Sequence, residues 1–418
     1  MTEKLLQYIW QFQYFNQSGL CTTKGEPLYI LSPGMINKDQ GPDFLNARIR
    51  IGSTMLAGSV ELHLKTSLWD QHGHQEDANY KNVILHVVYH HDLQDHPLPV
   101  LELYSLVPRM LLERYTGLMG SPSLIACAHA IASVNELTWN SWKERLLAER
   151  LTRKTEAVFK SLKENGMHWE ESFWWLLARN FGVKVNADSF ERIARSIPLN
   201  VLARHKNQMQ QVEGILFGQA GMLDHSFNED YPRLLQREYR FLKNKWKLVQ
   251  VPVPLHFLRM RPGNFPSVRL AQLAAIVQSS TRLFSKIIEI ESADDLRALF
   301  DVTANDYWHY HYRFDEPTSF KKKKLGMDMI NNILINTVVP VVFAYGLHCN
   351  EEKYKTRAIK WLEEVDAETN AIVKGFTSLS IPCKNAYDSQ SLIELKTRYC
   401  DNRYCLQCAL GNAILKST

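Results

Sequence analysis

The sequence predicts a small α+β or α/β domain, followed by a mostly α-helical region that ends in a cluster of cysteines. Strand-like patterns with a period of two residues occur only in the first part of the chain. Helix-like patterns and helix start signals dominate the rest. We therefore predict three parts, over residues 1–115, 116–380 and 381–418.

The composition is that of a folded protein, because 45% of the 418 residues are hydrophobic and 22% are charged. The formal net charge of +5 permits a polyanionic partner without requiring one. The first residues lack the pattern of a signal peptide, so we expect a cytoplasmic protein. The most apolar stretch, 333–347, is broken by Asn336 and Pro340. It is shorter than the roughly 18–20 apolar residues of a membrane span, and we predict a buried helix and no membrane partner.

The first part begins with an amphipathic helix over 2–15. Three strands follow, over 47–51, 59–65 and 83–89. A short helix at about 75–81 lies in the connection between the last two strands. This order predicts a mixed sheet with flanking helices.

The second part begins with Ser133-Val-Asn-Glu136, the pattern of a capping box, and continues into a helix over 139–163. The later periodic segments predict further helices over 170–180, 189–196, 202–217, 232–245, 268–278, 327–334 and 389–399.

Strand 59–65 alternates strictly, so Glu61, His63 and Lys65 share one face. Asp43 follows a Gly-Pro turn just before the preceding strand, which brings it near Glu61. Two converging carboxylates can hold Mg²⁺ or Mn²⁺, which prefer oxygen ligands. The alternative is an ordinary solvent-facing strand.

This arrangement resembles the PD-(D/E)xK nuclease superfamily over roughly residues 1–105. The resemblance implies that Glu3 is the helix acid, Asp43 the motif aspartate and Glu61 the motif glutamate. His63 stands where that family has lysine, and Lys65 lies one alternation further along the same face. The implied function is that of a metal-dependent nuclease or a nuclease-derived DNA-processing protein. The alternative is a non-catalytic scaffold that binds nucleic acid or protein.

Histidines are dense after this strand, where His72 and His74 flank a glycine. Imidazole suits Zn, Mn or Ni, so these side chains together with Glu61 predict a metal-dependent hydrolase as a further alternative. An exposed polar loop would show the same residues. His86, inside an apolar strand, is typical of a hydrogen-bonded core histidine and is a secondary candidate.

The C-terminal cysteines are Cys400, Cys405 and Cys408, with Cys383 upstream. Their spacing predicts a structural Zn²⁺ site with Cys383 as the fourth ligand. The alternatives are an iron–sulfur cluster and unrelated reduced thiols. The other three cysteines are scattered, and we interpret them as structural: Cys21, Cys127 and Cys349.

Two basic segments favour DNA or RNA as a partner. In the first, Arg261 and Arg269 flank a Pro- and Gly-rich turn before a helix, where phosphate can bind. Equally, these arginines can pair with carboxylates. The second is a basic run preceded by the aromatic segment 308–314, a combination that suits a nucleic-acid strand. Its residues are Lys321, Lys322, Lys323 and Lys324.

Several short motifs are distributed over nearly the whole chain: Gly41-Pro-Asp-Phe44, Val60-Glu-Leu-His63, Arg261-Pro-Gly-Asn-Phe-Pro266 and Cys405-Leu-Gln-Cys408. In these motifs the chain resembles a family of uncharacterised bacterial proteins, best represented in Bacteroidetes and known only as a domain of unknown function. This resemblance implies no activity.

Overall fold

A computed structural model describes residues 1–258 and 260–416. The chain forms two compact units. The first unit comprises Met1–Trp142, Ser378–Ile381 and Leu395–Thr418. The second unit comprises Lys143–Thr377 and Pro382–Glu394.

A six-stranded mixed sheet forms the centre of the first unit. Its strands are β1 (Leu28–Ser32), β2 (Met35–Ile36), β3 (Phe44–Ile51), β4 (Thr54–Lys65), β5 (Val83–His90) and β6 (Val100–Glu102). The order is β1-β3-β4-β5-β6, and β2 also pairs with β3. The β1–β3 and β3–β4 pairs are antiparallel, whereas β4–β5 and β5–β6 are parallel. The prediction of a mixed sheet with flanking helices is therefore confirmed.

The parallel pairing of β4 with β5 requires a crossover connection. This crossover holds helix α2 (Leu68–Gln71) and a 3₁₀ turn at Ala78–Tyr80, instead of the single helix predicted over 75–81. The register places Glu61 beside His86. Both side chains consequently lie on one face of the sheet.

Helix α1 (Glu3–Gln11) packs on this sheet with Leu5, Leu6 and Ile9 fully buried. The Thr2 side chain accepts a hydrogen bond from the Leu5 N–H and caps the helix. The helix ends earlier than predicted because Gln13 has a φ of 55°, which the right-handed helix cannot continue through.

The remaining helices of the chain are α3 (Arg109–Gly120), α4 (Glu136–Glu164), α5 (Trp169–Phe181), α6 (Val183–Arg195), α7 (Leu199–His205), α8 (Met209–Gln219), α9 (Asp230–Trp246), α10 (Pro266–Ser279), α11 (Leu283–Ile287), α12 (Ala293–Leu299), α13 (Met327–Ile333), α14 (Val339–Cys349), α15 (Glu352–Glu364), α16 (Ala371–Ser378), α17 (Ala386–Glu394) and α18 (Ala409–Lys416). Most lie in the second unit, so the prediction of a mainly helical second region is confirmed.

The start of α4 differs from the predicted capping box. Asn135, rather than Ser133, accepts the hydrogen bond from the Thr138 N–H, at 2.8 Å. Ser133 instead lies in a 3₁₀ turn, with its hydroxyl donating to the Ala130 carbonyl.

The predicted buried apolar helix is part of the continuous helical stretch Met327–Cys349. This stretch is long and apolar enough to cross a membrane by composition, yet 72% of its most apolar window is buried inside the protein. Its burial is that of a core helix of the second unit.

Candidate metal centre

Three imidazole rings meet at the crossover end of β4. Candidate ligand atoms of His63, His72 and His74 all lie within 4.8 Å of one another. His63 is on β4, whereas His72 ends α2 and His74 follows the left-handed Gly73, which has a φ of 70°. The crossover therefore folds its two histidines back onto the strand.

The buried carboxylate of Glu61 lies beside two of these rings, those of His63 and His74. Its Oε1 lies 3.4 Å from His63 Nε2 and 3.6 Å from His74 Nε2. The His74 Nε2 atom is buried and has no hydrogen-bond partner. Imidazole nitrogens beside a carboxylate oxygen are a donor set that suits transition metals.

His63 is itself held by a second histidine. Its Nδ1 lies 2.9 Å from Nε2 of His86, a fully buried residue. A proton on His63 Nδ1 would leave its Nε2, which lies 3.2 Å from His72 Nδ1, with a lone pair for a metal ion, as outer partners do for metal-binding histidines. Burial lowers the pKa of His63 to about 3 and that of His86 to about 2. Both rings are therefore neutral, as a metal ligand must be.

Asp43 and Glu61 are brought together, as the strand order predicts. The Asp43 backbone N–H donates to Glu61 Oε2 at 3.0 Å. In return, Asp43 Oδ2 accepts from the Leu62 N–H at 3.1 Å, and Gln7 donates to Oδ1 at 2.7 Å. No sequence motif indicates Gln7, because only the packing of α1 brings its side chain to Asp43.

The environment of the two carboxyl groups disfavours their ionised forms. Burial, and next the charge of Asp43, raises the pKa of Glu61 to about 8. Burial also raises the pKa of Asp43 to about 6, with a further contribution from the charge of Glu3. Glu3, an exposed residue of the first turn of α1, thus acts on both. A bound cation would relieve this repulsion and favour the ionised carboxylates.

Tyr80 and Lys65 are two further residues of this region. The Tyr80 ring stacks on His74 with 3.9 Å between the ring centroids, and burial followed by the charge of Glu61 raises the tyrosine pKa to about 12. Lys65 is exposed at the end of β4, and its charge acts on Asp92.

The second unit contains a basic cleft with a volume of about 1100 Å³. Its single acidic lining residue is Asp328, whereas the cationic lining residues are Arg153, Lys154, Arg179, Lys184, Arg261, Arg269, Lys321 and Lys324. Four of the six basic residues predicted to contact nucleic acid are thus on one cleft.

Arg269 is unusual among these cations because it is only 8% exposed. Its guanidinium donates to two neutral side chains, those of Gln272 and Asn264, and its Nε has no hydrogen-bond partner. Burial without a carboxylate partner lowers its pKa to about 10. A buried cation of this kind is costly unless an anion approaches it.

The four lysines of the basic run have different surroundings. Lys321 and Lys324 line the cleft, although Lys324 also pairs with Asp301 at 2.8 Å. Lys323 is buried, with its ammonium 3.9 Å from the centre of the Tyr312 ring. Lys322 is exposed and is not part of the lining.

Cys400, Cys405 and Cys408 line one small cavity in the first unit. Cys383, the predicted fourth ligand, is not among the lining residues, and the charged groups that act on it are, in decreasing order of effect, Asp388, Lys143 and Glu368. The fourth cysteine of the lining is Cys127, which the cysteine spacing does not indicate.

The comparison with protein-family models finds one match, over residues 3–371, to a family described as "Protein of unknown function (DUF2851)". No curated protein and no solved structure matches the chain.

Proposed function

The chain belongs to the family described as "Protein of unknown function (DUF2851)", and we propose that it is a metal-dependent phosphodiesterase that acts on nucleic acid. One observation carries this proposal: three imidazole rings with ligand atoms within 4.8 Å of one another, beside the buried carboxylate of Glu61. Such a centre can bind a transition-metal ion.

The protein groups favour metal binding at the crossover end of β4. His63 is pre-oriented by His86, while the more accessible His72 lies on the solvent side. A metal ion there would supply Lewis-acid polarisation of a phosphoryl oxygen and an activated water. Asp43 and Glu3 would add negative charge close to the ion. Strongly shifted carboxyl pKa values are typical of functional sites.

The phosphodiester class rests on the resemblance to the PD-(D/E)xK superfamily. The order of α1, the antiparallel β3–β4 pair, the crossover and the parallel β5 supports that resemblance. His63 stands in the position of the family's lysine. We therefore propose that imidazoles, rather than lysine and carboxylates alone, form the metal-binding part of this site.

The choice of nucleic acid as substrate is supported by the second unit. The described residues that line its cleft include eight cationic side chains and one acidic side chain, although Arg153, Arg179 and Lys324 pair with carboxylates outside the lining. The buried Arg269 donates to two neutral side chains. The volume of about 1100 Å³ exceeds the usual size of a small-molecule pocket. A polyanionic strand fits this chemistry, and its phosphates would replace solvent counterions.

Metal binding can be tested separately from activity. We expect His72→Ala to remove one equivalent of bound Mn²⁺ or Zn²⁺ in calorimetric titrations of metal-stripped protein. His72 is exposed, so the fold should persist. His129→Ala, at another exposed histidine, is the matched control and should bind like the wild type. Equal stoichiometry in both variants would remove the histidine centre from the proposal.

Cleavage is tested with single-stranded, duplex and branched DNA and with RNA, in the presence of Mg²⁺, Mn²⁺ or Zn²⁺. We expect metal-dependent hydrolysis that Glu61→Gln reduces by at least 10²-fold, because Glu61 lies against the metal ligands. Glu76→Gln, at an exposed acid of the same crossover, should retain activity. Cleavage unaffected by Glu61→Gln would contradict the proposed site, and binding without cleavage would favour the non-catalytic scaffold.

A further inference from the structure

A second metal-ligating cluster lies in the first unit, outside the histidine centre. Cys127, Cys400, Cys405 and Cys408 line one cavity. Three of these sulfur-bearing residues are at most 8% exposed. Cys127 lies far from the others in sequence, so only the tertiary fold brings the four together.

The rest of the cavity wall is mainly apolar, and includes Ile125, Ile131, Leu395 and Leu410. A buried water molecule needs two to four polar partners, and an apolar wall with four thiols offers few of them. Four cysteines that line one apolar cavity are instead a ligand set typical of a metal centre.

The local backbone packs closely around the C-terminal cysteines. Gly411 packs so closely that an added Cβ would lie 2.2 Å from the Cys405 carbonyl oxygen. The backbone N–H groups of Gly411 and Leu410 hydrogen-bond to the Cys408 sulfur. Donors of this kind stabilise a thiolate.

All four thiols line the same cavity, although more than 270 residues separate Cys127 from Cys400 in the sequence. The ligand form of cysteine is the thiolate, so binding of a metal centre would release the thiol protons to solvent.

The spacing of the sulfurs distinguishes two kinds of metal centre. A tetrahedral zinc ion with Zn–S bonds of about 2.3 Å would hold all its sulfurs about 3.8 Å apart. Within the described part of the chain, three ligand atoms lie within 4.8 Å of one another in the histidine triad and not in the cysteine cluster. No three of the four sulfurs therefore come as close to one another as a single zinc ion requires. An iron–sulfur cluster places several irons between its cysteine ligands and accommodates wider spacing.

We propose that Cys127, Cys400, Cys405 and Cys408 bind an iron–sulfur cluster. Each sulfur would bond one iron of the cluster. Cys383, which the sequence spacing suggests as the fourth ligand, is replaced in this role by Cys127. The cluster would tie the C-terminal segment that carries three of its ligands to the loop that follows α3.

The test is anaerobic purification of the full chain, with analysis of iron, acid-labile sulfide and zinc and with visible absorption spectra. We expect iron and sulfide in equal amounts and a charge-transfer band that reduction by dithionite bleaches. Zinc in place of iron after expression with ample iron and sulfide would overturn the cluster, as would the absence of both metals after chemical reconstitution.

Two variants identify the fourth ligand. Cys127→Ser should lose most of the iron and of the absorption band, whereas Cys383→Ser should retain both. The reverse result would assign the role to Cys383 and overturn the proposal for Cys127. Should Cys127→Ser fail to fold, the metal content of the wild-type chain and of Cys383→Ser still decides between the outcomes. His72→Ala should keep its iron, so this proposal is distinguished from the histidine centre.

Discussion

At the scale of single residues, a buried acid in the second unit accepts hydrogen bonds from two neutral donors. Glu213 is fully buried, and accepts hydrogen bonds from the Tyr231 hydroxyl at 2.5 Å and from the Trp308 indole N–H at 3.1 Å. Burial raises its pKa from 4.5 to about 7, against the opposing effect of both hydrogen bonds. The folded protein therefore binds a proton that the unfolded chain has already released.

This shift predicts a pH-dependent stability. Between pH 4.5 and 7 the native state retains the Glu213 proton and the unfolded state does not, so the free energy of unfolding falls as pH rises through this window. The loss for this group should be about 3 kcal/mol. Glu213→Gln should remove that part of the pH dependence. Denaturant unfolding at several pH values measures it.

The control for this prediction is Glu316→Gln, at an exposed glutamate of the same unit. Its unfolding free energy should follow the wild-type pH profile. A Glu213→Gln profile as steep as that of the wild type would show that the buried acid is ionised in the native protein at neutral pH.

At the scale of elements, α8 and α9 approach each other at a glycine. A Cβ atom at Gly218 would lie 2.2 Å from the ring of Tyr239 on α9. Tyr239 is 6% exposed, so its ring has little space into which to move. The glycine is therefore required by the packing of the two helices, despite its poor helix propensity.

Gly218→Ala should destabilise the second unit by about 1–3 kcal/mol, because overpacking outweighs the gain in helix propensity. The matched control is Gly117→Ala in α3, where an added Cβ has no neighbour within 4 Å. That variant should gain up to about 1 kcal/mol. Urea unfolding of both variants checks the two signs, and a neutral effect at Gly218 would indicate that α9 can shift.

Element boundaries show where sequence patterns were insufficient. Strands β1, β2 and β6 were not predicted, since β2 and β6 are very short and β1 has an irregular register with β3. The end of α1 depends on the left-handed backbone of Gln13, which no nearby glycine indicates. Short and edge elements are fixed by pairing partners more than by their own periodicity.

At the scale of the whole molecule, the cationic residues of the second unit come from distant segments. Arg153 and Lys154 lie on α4, Arg179 on α5 and Arg269 on α10. Lys321 reaches the same cleft from an extended segment. The cleft thus gathers cationic side chains from several elements, an arrangement that composition does not indicate.

Adjacent lysines provide a sharp test of this cleft. Lys321→Ala should weaken the binding of a single-stranded oligonucleotide and reduce the slope of log affinity against log salt by about one, because it removes one phosphate contact. Lys322→Ala removes the same charge from the neighbouring residue outside the lining. Fluorescence anisotropy at several salt concentrations compares them, and equal losses would indicate a nonspecific charge effect.

Local patterns were enough to predict an α+β first part, a mainly helical second part and the proximity of Asp43 and Glu61, because alternation and strand order establish which side chains share a face. The meeting of His63 with His72 and His74, and that of Cys127 with Cys400, Cys405 and Cys408, follows from the tertiary structure. Those arrangements depend on how a crossover folds back and on contacts between residues hundreds of positions apart. Such contacts arise from the packing of whole elements, which leaves no periodic trace in the sequence.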